Sequence, residues 1–387
     1  MPSSYAPLLA GLAALAASTN EHHTAPYHPS LDTTTAPAPY ALEHLNHTLA
    51  PFGARVHLHH SLTPHKLPQD VARQLWQELT KHQVLVFPKL GERLDMNQHV
   101  AFARQFGTVD PWVSRPPPYA LQNVHLSTNS WSKDLSADGR TVGDTSEEST
   151  TAAATTAVPT ATDCVAASLQ HHGCKALQST VIEARDEQVA RGEPTEVFKL
   201  VVAPTDELAF GEGFHTDLTY LEKPPVAALL IGRALPPSGG DTLFQSSYHL
   251  LEALPVELHD KIRGGVASLH SDRAGRQAVH PLVQSVHGRA ALYVNRHQSR
   301  HIVEEHEEAL GGQHAAQELL NKLFTHVLDT GLQRHLSIKW EKDMLVMWDE
   351  RSTQHAAIHD YAGHRREMHR VLISDARPGF ETAPPTH

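Results

Sequence analysis

The chain has 387 residues, 40% hydrophobic and 19% charged, the composition of a soluble globular protein long enough to bury a large core. Its formal net charge of −11 argues against a nucleic-acid surface and means that an anionic substrate needs a local Arg or Lys cluster. Two cysteines, Cys164 and Cys174, are too few for a disulfide framework or a Cys-based zinc site, while 31 histidines leave imidazole chemistry open.

Residues 1–40 are rich in Ala, Ser, Thr, Pro and His, show no sustained period, and read as a disordered tail. Within it, Pro7 to Ala17 is an apolar run without a basic flank and too short to span a bilayer, so the expectation is a cytoplasmic protein with no membrane partner. The triplet Asn46-His47-Thr48 is read as a chance sequon. Order is expected from about Leu45, in one domain over 41–387. Gln69 to His82 places Val71, Leu75, Trp76 and Leu79 on one helical face. Val84 to Phe87 reads as a buried strand stopped by Pro88. Asp95 is placed to cap a helix through Val100 and Phe102 that Gly107 closes.

From about 122 to 192 the chain turns to Ser, Thr, Ala and Glu, which reads as a long disordered insertion with a helix near Val181–Val189. Strands are then expected at Val197–Val202, Val226–Ile231, Asp241–Phe244, Ala290–Val294, His335–Trp340, Met344–Trp348 and His369–Ser374. Helices are expected at Tyr248–Arg263, broken at Pro255, and at Gln313–Leu328. Short strands between Gly/Pro turns, with helices in blocks, point to a mainly β fold with flanking helices. An antiparallel sandwich or jelly roll is favoured over a doubly wound sheet.

His215-Thr216-Asp217 has the spacing that puts two metal-binding side chains on one face of an extended strand. A solvated turn is the plainer reading, and His270-Ser271-Asp272 repeats the spacing. Context favours the first triplet. It follows Gly211-Glu212-Gly213-Phe214 and leads into Leu218-Thr219-Tyr220, whereas the second leads into polar residues with no comparable strand signal. His355, far along the chain, can supply a third ligand. Two imidazoles and a carboxylate occupy one face of a ferrous ion and leave the opposite face open. Arg366 and Arg370 share a face if that stretch is extended, and a guanidinium there can grip a carboxylate with two hydrogen bonds.

These residues sit in longer matches. They are Phe214-His215-Thr216-Asp217, Pro224-Pro225, Gly239-Gly240-Asp241-Thr242-Leu243-Phe244, His280-Pro281-Leu282-Val283 and Leu292-Tyr293-Val294-Asn295. The last is the block from Trp348-Asp349 through Arg351, Thr353-Gln354-His355 and Asp360-Tyr361 to Arg365-Arg366 and Met368-His369-Arg370. From Leu45 to Pro378, apart from the insertion, the chain resembles the TauD/TfdA family of iron(II)- and 2-oxoglutarate-dependent dioxygenases. The resemblance implies a double-stranded β-helix (jelly roll, cupin-like) core and a homo-oligomer, dimer or tetramer. It implies His215, Asp217 and His355 as iron ligands, Thr242 and Arg366 as the 2-oxoglutarate carboxylate site, and Arg370 as a substrate-binding residue.

The implied reaction is hydroxylation of a small organic acid by dioxygen, with release of succinate and carbon dioxide. A sulfonate or sulfate ester is the expected substrate. The chain departs from the pattern at Asp110-Pro111, where the taurine enzyme presents a His-Pro pair that helps hold the sulfonate. An Asp repels an anion, so another sulfonate, a sulfate ester or a different small acid stays open. The rival readings are a non-catalytic jelly-roll member that binds a small acid or metal, and a cupin-like isomerase or zinc hydrolase. Neither needs the Arg366–Arg370 block.

Overall fold

In the computed structural model, the described residues are 38–45, 52–110, 187–205, 213–272 and 275–380. Most of the expected tail, the Pro7–Ala17 run, the Asn46 sequon, both cysteines and most of the expected insertion lie outside them. Among the described residues no helix is long and apolar enough to cross a membrane.

The first element is a strand that the sequence reading missed. β1 (Tyr40–His44) pairs antiparallel with β2 (Ala54–Leu58), so order begins before Leu45. β1 buries none of its residues fully and has an apolar run of only three, Tyr40 to Leu42, which hides an edge strand from a pattern search. α1 (Gln69–His82) buries Val71, Ala72, Leu75, Trp76, Leu79 and His82, and Gln83 ends it in a left-handed conformation with its N–H on the Leu79 carbonyl. β3 (Val84–Phe87) is buried on both faces. Asp95 caps α2 (Met96–Arg104) in a reciprocal box with Gln98, as its position predicts. β4 (Gly107–Val109) follows.

The chain is next described at a helical turn over 187–190, which overlaps the last residues of the helix expected near Val181–Val189 and lies inside the expected insertion. Then come β5 (Phe198–Val202), β6 (Ala227–Ala234), β7 (Thr242–Ser246), α3 (Ser247–Glu252) and α4 (Val256–Ile262). β8 (Ala267–Ser271), β9 (Gln277–Pro281), β10 (Val283–Val286), β11 (Arg289–Leu292) and β12 (Ser299–Ile302) form short antiparallel pairings. After α5 (Glu304–Leu310) comes α6 (Gln313–Gln333), then β13 (Leu336–Ile338), β14 (Leu345–Asp349), β15 (Thr353–Ala357) and β16 (Arg366–Ala376).

α6 runs on past Leu328 and through Gly331. A Cβ at Gly331 would come within 2.4 Å of the Phe214 ring and 2.5 Å of Gln245 Oε1, so the glycine is there for close approach and does not end the helix.

The large sheet runs β1-β2-β3-β14-β6-β16-β4, with β5 alongside the first half of β16, and only the β2–β3 pair is parallel. A smaller sheet, β13-β7-β15, packs over it. Strand periodicity sorts the core. Leu345 and Met347 of β14, and Ala227, Leu229 and Ile231 of β6, join the helices α1 and α2. Val346 and Trp348, with Ala228 and Leu230, face Phe244, Leu336 and Ile338 of the small sheet. On the small sheet's other side, Leu243 and Ala356 pack with Leu319, Leu320 and Leu323 of α6. The fold is therefore mainly β, two facing sheets between helical layers; Phe244 of β7 and Met368 and Leu372 of β16 fill the gap between the sheets, so by the period of two Thr242, Arg366 and Arg370 point the same way.

Candidate metal centre

His215 and His355, so far apart in sequence, are opposed residues of an antiparallel bridge. The His215 N–H donates to the His355 carbonyl at 3.0 Å and the His355 N–H returns the bond at 2.9 Å. Opposed residues share a face, and the two ring centroids lie 4.3 Å apart. His355 is in turn opposite Phe244, which points into the gap between the sheets. The His215 Nδ1 lies 2.9 Å from the Gly213 carbonyl. A carbonyl only accepts, so Nδ1 carries a proton, and in the neutral ring the lone pair is on Nε2.

Asp217 completes the group: one ligand atom from each of His215, Asp217 and His355 falls within 4.8 Å of the other two. The extended-strand expectation needs correction here. His215 alone is a bridge residue, and Asp217 opens a turn over 217–220 that curls its carboxylate back toward His215, with Oδ1 3.7 Å from Nε2. All three side chains are buried, and His355 Nδ1 has no hydrogen-bond partner among the described residues.

Two ionisable neighbours set the electrostatics. Arg370 Nη1 donates to Asp217 Oδ2 at 2.5 Å, with its guanidinium 5.1 Å from the Phe198 ring. Burial alone would raise the Asp217 pKa, but Arg370, His355 and His215 together bring it below the usual range, so the carboxylate is charged. Burial, reinforced by His215, pushes the His355 imidazole down to about 3, so it is neutral and able to donate a lone pair. Glu350, missed in the sequence, is fully buried beneath Asp217. Its carboxyl accepts from the Asp217 N–H at 3.1 Å and from Trp348 Nε1 at 2.8 Å. Burial first, and then the Asp217 charge, raise the Glu350 pKa well above normal.

Arg366 and Thr242 also face the gap. Gly239 and Gly240, with φ of 77° and 75°, form a turn whose second N–H donates to Asp360 Oδ1 at 2.7 Å. The Gly240 carbonyl accepts from Arg366 Nη2 at 3.2 Å, and the Tyr361 ring lies 5.7 Å from the guanidinium. Arg366 is 6% exposed, and its Nε is buried with no partner. Among the described residues no carboxylate forms an ion pair with it, and burial pushes its pKa down against the pull of Tyr361 and Asp241. Thr242 Oγ1 accepts from Trp340 Nε1 at 2.9 Å, which leaves the hydroxyl proton free to point elsewhere.

The structure thus brings His215, Asp217, His355 and Arg370 into direct contact, with Arg366 and Thr242 on the same inter-sheet side. Asp110 follows β4, which pairs with the far half of β16. The second triplet is otherwise engaged, and its first two residues do lie on a strand, the end of β8. His270 is fully buried with both nitrogens bound to hydroxyls, and Asp272 pairs with Arg276 at 2.7 Å. His297 was also missed; its exposed ring stands 5.4 Å from that of His215. No spacing rule flags a lone loop histidine.

The chain was compared with known proteins. The model of the family described as "Taurine catabolism dioxygenase TauD, TfdA family" matches residues 174–372, just over half of the chain. An alpha-ketoglutarate-dependent sulfonate dioxygenase of Saccharomyces cerevisiae is 32% identical over 176 residues, 40% of each protein. An alpha-ketoglutarate-dependent sulfate ester dioxygenase of Pseudomonas putida is 28% identical over 186 residues, 43% of this chain and 60% of that protein. The matches thus span about 40% to 60% of the length of these relatives. In three dimensions, a taurine dioxygenase from Burkholderia xenovorans superposes with a TM-score of 0.56 at 21% identity, covering 90% of this chain and all of that one.

Proposed function

The chain belongs to the TauD/TfdA family of dioxygenases, and from that premise we propose that it is an iron(II)- and 2-oxoglutarate-dependent dioxygenase. In this reading it hydroxylates a small organic acid, a sulfonate or sulfate ester, and releases succinate and carbon dioxide. The observation that carries the reading is the pairing of two groups on one inter-sheet face. One is a two-His-one-Asp donor set; the other is a buried Arg366 that forms no ion pair with a carboxylate among the described residues. A buried cation without a counter-charge is costly, and a dicarboxylate that reaches from the metal to Arg366 would supply one. We place the site on a double-stranded β-helix core in a single catalytic domain. Its support is the likeness to the taurine dioxygenase fold and the sharing of one sheet by β1 and β16.

The residues fit an iron centre. The donors are borderline imidazoles and one hard carboxylate, and three of them on one side leave the other side for co-substrates. His215, Asp217 and His355 would hold the metal, which when bound supplies the coupling of dioxygen reduction to oxidative decarboxylation of 2-oxoglutarate. The chain contributes position. Arg370 ties down one Asp217 oxygen and leaves Oδ1 facing His215. Arg366 and the Thr242 hydroxyl receive the distal carboxylate, the first as a fork of charged donors and the second as a neutral donor aimed by Trp340. The facing sheets exclude water, which strengthens each of these contacts.

Arg370 also borders the open side, where its buried, unpartnered Nε is a donor for an anionic substrate. Sulfonates and sulfate esters are favoured because the relatives named above are dioxygenases for these two classes. Hydroxylation at the carbon bearing sulfonate or sulfate yields an unstable adduct that collapses to an aldehyde with sulfite or sulfate. A cytoplasmic setting and a homodimer or homotetramer are part of the proposal, checked by fractionation and by sedimentation velocity. The substrate class is tested with a panel of alkylsulfonates, alkyl sulfates and matched carboxylates. Sulfite or sulfate should appear in equal amount with succinate; succinate released with the carboxylates alone would overturn the substrate assignment.

A further inference from the structure

Asp217 is followed at once by Leu218, whose φ of 54° is an uncommon and strained conformation for leucine. Such a residue persists where its surroundings over-determine it. The surroundings are found one residue further on. Thr219 is fully buried and its hydroxyl meets three side chains. Oγ1 donates to Gln298 Oε1 at 2.7 Å, which uses its single proton. It therefore accepts from His270 Nδ1 at 2.7 Å and from Asn295 Nδ2 at 3.4 Å.

The direction of the remaining bonds follows. His270 carries its proton on Nδ1, and its bare Nε2 accepts from Ser268 Oγ at 2.9 Å and Ser299 Oγ at 3.3 Å. Ser299 Oγ accepts the Asn295 N–H at 3.1 Å, and Asn295 Oδ1 accepts the Gln298 N–H at 3.0 Å. Ser268 and His270 belong to β8 and Ser299 to β12, and these strands pair with each other. A second tie lies beside the first: His280 Nε2, on β9, donates to the Leu221 carbonyl at 3.0 Å.

We propose that this buried network is a positioning device for the metal centre. It anchors Thr219 to the three-stranded β12-β8-β9 sheet, holds Leu218 left-handed, and so fixes where the Asp217 carboxylate points. The proposal rests on the reading of His215, Asp217 and His355 as ligands. It gives the second His-x-Asp triplet a task, since His270 braces the loop that carries the first. The competing account is a satisfied polar core that serves stability alone. The two accounts differ in what they predict for metal affinity in a protein that remains folded.

The experiment uses the full chain and cobalt(II), a redox-quiet stand-in for iron(II) whose visible spectrum reports its coordination. Thr219→Val removes the hub hydroxyl at constant shape, and Thr219→Ser restores it. His270→Leu removes the imidazole, and His270→Asn returns an amide donor near the Nδ1 position. Asp217→Ala is the ligand control. Binding is measured well below each variant's Tm, with folding checked by circular dichroism. T219V and H270L should bind cobalt(II) about 10- to 100-fold more weakly, the usual consequence of losing an outer support of a ligand, and with an altered spectrum. T219S and H270N should stay near the parent. If T219V does not fold, the H270L and H270N pair decides by the same measure. A lower Tm with unchanged affinity and spectrum would overturn the positioning role, provided D217A has lost the metal. If D217A also binds as the parent does, the ligand assignment itself fails.

Discussion

Asp217 does two things at once: it faces His215 with one oxygen and is held by Arg370 through the other. The residue-scale predictions follow from that division. Asp217→Asn keeps the shape but removes the charge, and is expected to weaken metal binding while leaving the fold intact, read by calorimetric titration. Arg366→Ala removes a charge-assisted contact worth about 1.5–3 kcal/mol, so the 2-oxoglutarate KM should rise by roughly 10- to 100-fold with metal affinity little changed. An unchanged KM would remove Arg366 from the carboxylate site. The candidate ligands, which the structure brings together, stood out in the sequence because their types and spacing carry chemistry. Glu350 was not, since nothing local marks a Glu two residues past a Trp as the buried acceptor for a backbone N–H on another segment. Thr219 and His270 were hidden for the same reason: their meaning lies in a contact between distant segments.

At the scale of elements, strong local signals were met. α1 begins at Gln69 and ends at His82, β3 spans Val84–Phe87, and Asp95 caps α2 with the reciprocal Gln98 contact. Asp95→Ala should therefore cost about 0.5–2 kcal/mol, measured by urea unfolding. What escaped were short strands with mixed polarity, β1, β2, β8 and β12 among them, which exist because partners complete them and not because their own residues insist on it. Gly331 teaches the converse. The helix expected from the sequence stops at Leu328, short of Gly331, yet α6 runs through this glycine, which is needed there because Phe214 and Gln245 leave no room for a side chain. Gly331→Ala gains helix propensity but crowds Phe214, next to His215. Overpacking of this kind costs about 1–3 kcal/mol, so a lower Tm is expected despite the better helix former.

For the whole molecule, buried imidazoles couple folding to pH. His99, whose ring nitrogens have no partner among the described residues, and His270 are both pushed down to about 3, each chiefly by burial. In the unfolded chain they titrate near 6.5. Between these values the unfolded state binds more protons, so stability is complete above about pH 6.5 and falls as the pH drops toward 3. Glu367 adds to the same trend at lower pH. Its partners His369 and Arg365 hold it at about 2, so its contribution is present above about pH 4.5 and lost as the pH falls through 2. The urea midpoint should be level above neutrality and decline steadily from pH 6.5 to 5; a flat midpoint across that range would contradict the buried neutral state of these rings. The mainly β class with outer helices was legible from strand length and turn spacing. The pairing that joins His215 to His355 was not, because a cross-strand register between segments so far apart leaves no mark in either one.

The central claim is that His215, Asp217 and His355 form an iron site that consumes 2-oxoglutarate. The most direct measurement is succinate formation from 2-oxoglutarate in air, by the full chain and its His355→Ala variant, with and without iron(II). The account predicts succinate only from the parent chain with iron(II), in larger amount when an alkylsulfonate or alkyl sulfate is present. Equal succinate from the parent and from His355→Ala, or succinate that does not depend on iron(II), would contradict it.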